Sequence, residues 1–200
     1  MSFEPLTEER IETDSTYDAG TTTQLMWGAR SDVGCVRPHN EDSYLVQSPL
    51  FCVCDGMGGH AAGEVASSIA VETIAKTAPQ SADAARLAAA VEAANAAVIE
   101  AALNGLGKPG MGCTATCAYI ENDTLAIAHV GDSRAYLLHE GTLIRVTRDH
   151  SYVEELVDAG EITADEARVH PNRSVITRAL ARTPLCMPTT SLCISRKATV

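Results

Sequence analysis

No apolar run in these 200 residues approaches the roughly 20 needed for a membrane-spanning helix. Clustered positive charge is missing too. There are 15 Lys and Arg against 26 Asp and Glu, a formal net charge of −11, and no basic stripe. Nucleic acid is thereby excluded as a partner, because its phosphates need grouped cations. The opening MSFEPLTEERIETDSTYDAG lacks the basic and apolar regions of a secretory signal. It reads as a flexible acidic arm over residues 1–24, with the fold beginning near Leu25. The seven cysteines include no C-x2-C pair: Cys52-x-Cys54 and Cys113-x3-Cys117 are spaced otherwise, and Cys35, Cys186 and Cys193 stand alone. That pattern argues against a zinc site or a disulfide framework. It predicts reduced thiols, mostly small core residues, in a cytoplasmic protein. No internal repeat or low-complexity tract is present.

What is there describes one domain. At 46% hydrophobic and 20% charged, the chain can bury a sizeable core. Residues 25–30 and 43–54 read as strands, the latter broken at QSPL. From His60 onward, Val65, Ile69 and Ile74 recur at helical spacing. A second helix follows Pro79, capped by Ser81, with Leu87, Val91, Val98 and Ile99 as its stripe. CTATCAYI, TLAIAHVG, SRAYLLHEG and TLIRVT then predict a four-stranded antiparallel meander, followed by the helical pair SYVEELVDAG and TADEARVH. Strands, helices, strands and helices in that order make an α+β fold.

The stretch FCVCDGMGGH, residues 51–60, carries the chemistry. An apolar strand ends in one carboxylate, Asp55, and the glycines after it let backbone approach closely. SDVGCVRPHNEDSY sets Arg37, Asn40, Glu41 and Asp42 just before the preceding strand, where a short antiparallel connection brings them near Asp55. Asp132 opens a later strand after Gly131. Carboxylates gathered at sheet ends repel unless a cation lies between them, and hard oxygen donors suit Mg²⁺ or Mn²⁺. Arg37 has the planar fork that clamps a phosphate. Taken singly, each feature also has an ordinary reading as a turn, a solvated run, a helix cap or a surface ion pair.

The ordered set SDVGCVRPHNED, CDGMGGHAAGEVAS, GMGCTAT, AHVGDSRAYLL, TRDHS and NRSVITRAL resembles the metal-dependent type 2C (PPM) serine/threonine protein phosphatases in their bacterial form, over roughly residues 27–180. The resemblance implies an αββα sandwich of two antiparallel sheets flanked by helices, with two Mn²⁺ or Mg²⁺ ions at one end. It assigns Asp55 as the bridging ligand, Gly56 as a carbonyl ligand, and Glu41 and Asp42 as ligands of the metals or their waters. Asp132 falls at a third, weaker metal site, and Arg37 grips the substrate phosphate, so Arg37 and Asp55 are the catalytic candidates. Thr114, Ser133 and Arg134 look structural by comparison. The implied substrates are phosphorylated Ser/Thr proteins, opposing a Ser/Thr kinase, with no membrane partner. Met57 stands where eukaryotic members carry a proposed histidine acid, so the general acid is unassigned, and His60 is not an automatic replacement.

The resemblance stops early. Members continue past ITRAL through GTDP into SDG and DN segments, each supplying a metal-binding aspartate; here no acidic residue follows Glu166. A one-base slip after Leu180 permits Gly-Thr-Asp-Pro at the junction. Residues 25–180 are therefore expected to be an incomplete catalytic domain and 181–200 an out-of-frame tail, a divergent ending being the alternative. Weak metal binding, unpaired sheet edges and low activity are expected to follow. The competing reading is a catalytically impaired remnant that binds phosphoproteins or a regulator.

Overall fold

A computed structural model describes residues 16–22, 24–58, 62–182 and 187–194. Its centre is a five-stranded antiparallel sheet. β3 (Ser43–Gln47) and β4 (Leu50–Cys54) form a hairpin, β7 (Ala115–Glu121) lies beside β4, and β8 (Thr124–Val130) lies beside β7. The outer place beyond β8 is taken by β11 (Thr189–Ile194). The segment expected as a tail thus contributes a strand that covers the β8 edge.

Two helices close one face. α1 (Ala62–Thr77) turns Ala62, Ala66, Ala70 and Ile74 inward, four residues apart. α2 (Ala84–Leu103) buries Leu87, Val91, Ala94 and Val98. Opposite them lie Leu50, Cys52, Cys54, Cys113, Ala115, Cys117, Ala126, Ala128 and Val130. Small side chains on both surfaces let helices and sheet approach closely. Alanines therefore lead the α1 face, with Val65 and Ile69 only partly buried on its flank. The cap of α2 is Asp83 rather than Ser81: its carboxylate accepts from the Ala85 and Arg86 N–H groups, each at 3.0 Å.

Part of the stretch expected as an acidic arm is a strand; residues 1–15 lie outside the described residues. Residues 16–21 form β1 (Thr16–Thr21), paired along its length with β2 (Met26–Ser31). That hairpin reaches the other face of the central sheet, where Trp27 meets Phe51 edge-on with ring centroids 5.9 Å apart. The expected meander also divides. β7 and β8 stay in the main sheet, whereas β9 (Tyr136–His139) and β10 (Thr142–Arg145) form a separate hairpin. The chain leaves the sheet at Gly131, whose φ of 111° lies where L side chains are strained. α3 (Tyr152–Asp158) and α4 (Ala164–Val169) follow, capped by Ser151 and by a Thr163–Glu166 capping box. The α+β class with antiparallel sheets flanked by helices is the expected one. Among the described residues the smaller sheets are two-stranded, the last being β5 (Gly56–Met57) with β6 (Gly112–Cys113).

Candidate metal and phosphate site

The strand ends converge on a cleft of about 640 Å³ lined by Arg37, Glu41, Asp55, Gly56 and Asp132. Asp55 sits between β4 and β5 and is fixed by its backbone. Its N–H donates to Thr114 Oγ1 at 2.9 Å, and the Thr114 N–H donates back to the Asp55 carbonyl at 2.9 Å. Thr114 Oγ1 also meets Ser133 Oγ at 2.8 Å, tying the GDS turn to the same point.

The glycines after Asp55 have a steric reason. A Cβ on Gly56 would lie 2.3 Å from the Glu41 carbonyl oxygen and 2.3 Å from that of Gly63. A Cβ on Gly63 would lie 2.7 Å from the Gly56 carbonyl carbon and 3.0 Å from Glu41 Cδ. Three backbone segments touch here with no room for a side chain. The Glu41 carbonyl is held by the Gly56 N–H at 3.2 Å and by Ser67 Oγ at 2.7 Å. The Asp42 N–H donates to Asn40 Oδ1 at 3.1 Å, which turns the NED run into β3.

Electrostatics identifies the company Asp55 keeps. Burial, then the Asp42 carboxylate, then Asp132 push its carboxyl up to about 6, against the opposing pull of Arg37. Asp132 is raised by burial and by Asp149. Arg37, Asp42, Asp55 and Asp132, separated by up to 95 positions in the chain (132 − 37), therefore share one field. Mutually repelling carboxylates with the Arg37 guanidinium beside Asp55 fit an oxygen-preferring divalent cation. The set is not a closed cage: among the described residues no three His, Cys, Asp or Glu side chains are arranged to hold an ion. His60 lies outside the described residues, and Met57 lines the cleft.

The support of Asp132 was not assigned in the sequence, although both of its motifs were visible there. The His150 backbone N–H donates to the Gly131 carbonyl at 2.8 Å, and the His150 ring accepts the Gly131 N–H on Nδ1 at 3.1 Å. The same ring stacks on His129 at 5.0 Å, and His129 meets Thr116 Oγ1 at 2.9 Å and the Arg148 carbonyl at 3.0 Å. Accepting from Gly131 leaves Nε2 of His150 to donate to Thr189 Oγ1 at 2.9 Å. Burial lowers the pKa of both imidazoles, that of His150 to about 4. Arg134 reaches both oxygens of buried Asp149 from Nε at 3.0 Å, bracing the same loop.

The chain is similar to known proteins over most of its length. The family profile described as Protein phosphatase 2C matches residues 27–156. The chain is 44% identical over 165 residues to the serine/threonine protein phosphatase PstP of Mycobacterium tuberculosis, covering 81% of this chain and 32% of that protein. It is 39% identical over 163 residues to the serine/threonine phosphatase stp of Listeria welshimeri, covering 76% of this chain and 65% of that one. It thus spans about a third of the first relative's length and about two thirds of the second's. The crystal structure of the M. tuberculosis phosphatase superposes with a TM-score of 0.74 at 38% identity, covering 91% of this chain and 74% of that one. A PstP catalytic domain in complex with two manganese ions gives 0.73 at 37%, covering 91% and 73%.

Proposed function

The chain belongs to the protein phosphatase 2C family, and on that premise we propose that it hydrolyses phosphoserine and phosphothreonine in proteins at the Asp55 cleft. One observation carries this reading. Asp55 and Asp132 line one cleft with Glu41 and the Arg37 guanidinium, and the Asp42 and Asp132 carboxylates raise the Asp55 carboxyl against the pull of Arg37. That is the charge arrangement a divalent cation and a phosphate would complete together.

Asp55 and the Gly56 carbonyl would hold Mn²⁺ or Mg²⁺, with Glu41 and Asp42 beside them and Asp132 at a third, weaker position. Such ions, when bound, lower the pKa of water and neutralise phosphoryl charge. The chain's own residues prepare for that chemistry. The Thr114 bonds and the close contact at Gly56 and Gly63 hold Asp55 without a flexible element between site and sheet. Arg37 supplies a planar, permanently charged fork for two phosphate oxygens. No side chain is assigned to protonate the leaving alkoxide.

The partners are phosphorylated Ser/Thr proteins, opposing a Ser/Thr kinase. Among the described residues no helix is long and apolar enough to cross a membrane. With the described cysteines unpaired, we place the protein in the reducing cytoplasm. The second reading, a remnant that binds phosphoprotein without turnover, rests on the sequence, in which no acidic residue follows Glu166. Residues 25–180 are proposed as an incomplete catalytic domain. The out-of-frame origin proposed for 181–200 is tested by sequencing the DNA across codons 170–200.

The deciding experiment is hydrolysis of a phosphothreonine peptide by the purified chain with Mn²⁺, then with excess chelator. Chelator-sensitive release of phosphate supports the enzyme. Peptide binding without release supports the remnant.

A further inference from the structure

Four thiols gather beneath the cleft, and the proposed reaction uses none of them. Cys52 and Cys54 of β4, Cys113 of β6 and Cys117 of β7 are all buried and unpaired on the helix-covered side. One pair stands apart. Cys52 and Cys117 are direct cross-strand partners. Their Sγ atoms are 2.9 Å apart, against 3.8 Å between Cys52 and Cys54.

The ladder explains the closeness. The Ile120 N–H donates to the Pro49 carbonyl and the Thr114 N–H to the Asp55 carbonyl, so both of these opposed pairs are hydrogen-bonded. Hydrogen-bonded and non-hydrogen-bonded pairs alternate along an antiparallel ladder. Counting between those two positions in the observed register places Cys52–Cys117 at a non-hydrogen-bonded pair. Cα atoms at such pairs lie about 4.5 Å apart, at the near end of the roughly 4.4–6.8 Å that a disulfide spans. The facing Cys117 thiol, Cys54 and burial together push the Cys52 thiol well above its ordinary range. Cys52 is therefore neutral near pH 7, and no repulsion between two thiolates opposes the contact. A metal reading is not supported, because no three ligating side chains among the described residues are arranged to hold an ion.

We propose that Cys52 and Cys117 form a redox-modification site, at which hydrogen peroxide converts the facing thiols into an intramolecular disulfide without rearranging the strands. One sulfur loses its proton and attacks a peroxide oxygen. The O–O bond breaks, leaving a sulfenic acid and releasing water. The facing sulfur then attacks the sulfenic sulfur, the S–O bond breaks, and a second water leaves. Two thiols and one peroxide become one disulfide and two waters, with two electrons passing from sulfur to oxygen. A dithiol reductant reverses the change by exchange. The bond would join β4, three residues before Asp55, to β7, three residues after Thr114. It would thereby lock the ladder that holds the cleft.

The test is a peptide map of the full chain after peroxide treatment, alkylation and non-reducing digestion, beside a C35S/C186S/C193S variant that keeps the four buried thiols. The expected product is one cross-linked peptide pair containing Cys52 and Cys117, two hydrogens lighter than its parts and lost on adding dithiothreitol. Its formation should raise the unfolding midpoint reversibly. C117A should abolish the cross-link. If either variant fails to fold, the map of the unsubstituted chain decides alone. A Cys54–Cys113 cross-link, or sulfinic acid at Cys52 with no cross-link, would overturn the proposal. So would no oxidation of the pair at a peroxide dose that consumes a free thiol control.

Discussion

Asp55 and Thr114 exchange two hydrogen bonds, one through the threonine hydroxyl and one through its backbone N–H, each 2.9 Å long. This links the carboxylate at the end of β4 to the turn that carries Asp132, because the same hydroxyl reaches Ser133. Thr114→Val keeps the shape but leaves the Asp55 N–H without a partner. A loss of about 1–3 kcal/mol in urea unfolding is expected, together with weaker Mn²⁺ binding by calorimetry. Thr114→Ser should restore most of both.

Gly56→Ala tests the close approach of backbones. Its Cβ would fall 2.3 Å from two carbonyl oxygens, and neither belongs to a side chain that can swing away. The backbone must move, at about 1–3 kcal/mol. Because the movement displaces Glu41 from Asp55, metal affinity should fall along with the melting temperature. A variant of unchanged stability would show that the contact is looser than described.

Arg37 and Asp55 should fail differently. Arg37→Ala removes a charge-assisted contact to phosphate, worth about 1.5–3 kcal/mol, so kcat/KM should drop roughly 10–100-fold with Mn²⁺ binding retained. Asp55→Ala should abolish metal-dependent turnover and weaken Mn²⁺ binding together. Equal and mild effects of the two would remove the division of roles.

Acidity should act on the cleft through Asp55. Without a cation its carboxyl stands near 6, above the roughly 3.9 of an unfolded aspartate. The protonated form is favoured by folding, so the stability it contributes below about pH 4 is lost as pH rises to 6. A cation must displace that proton, and apparent Mn²⁺ affinity should fall about tenfold per pH unit below 6. Titration calorimetry at pH 5, 6 and 7 checks this; a flat profile would show that Asp55 does not bind the ion.

The stacked imidazoles work in the opposite direction. His150 is depressed to about 4 and His129 is lowered as well, both chiefly by burial, whereas unfolded histidine titrates near 6.5. The unfolded chain binds more protons between those values, so stability is full above about pH 6.5 and declines as pH falls toward 4. The slope is at most about 1.4 kcal/mol per pH unit for each ring. Urea midpoints from pH 7 down to 4.5 measure it, and His150→Gln should flatten part of the curve.

Local pattern told much of this story. Asp55 followed by glycines, the Arg37–Asp42 run before β3 and the GDS turn at Asp132 were legible because spacing and residue type carry their own chemistry. Other features misled for equally local reasons. Ser81 resembles a cap, but Asp83 is the residue whose carboxylate reaches the first N–H groups of α2. Val65 and Ile69 outrank alanine in hydropathy, yet Ala66 and Ala70 face the sheet because only small side chains fit that separation. Four β-rich runs look like one meander in sequence, and nothing within them reveals that β9 and β10 leave the sheet at Gly131.

The amino-acid sequence by itself determined the α+β class, the family and the residues available to hold cation and phosphate, since those rest on neighbours a few positions apart. Tertiary structure decided which of them meet. It drew Asp42, Asp55 and Asp132 into one field, stacked His150 on His129, and set Cys52 against Cys117 across a ladder. Those outcomes depend on strand register and burial, which arise only when segments distant in the chain pack together.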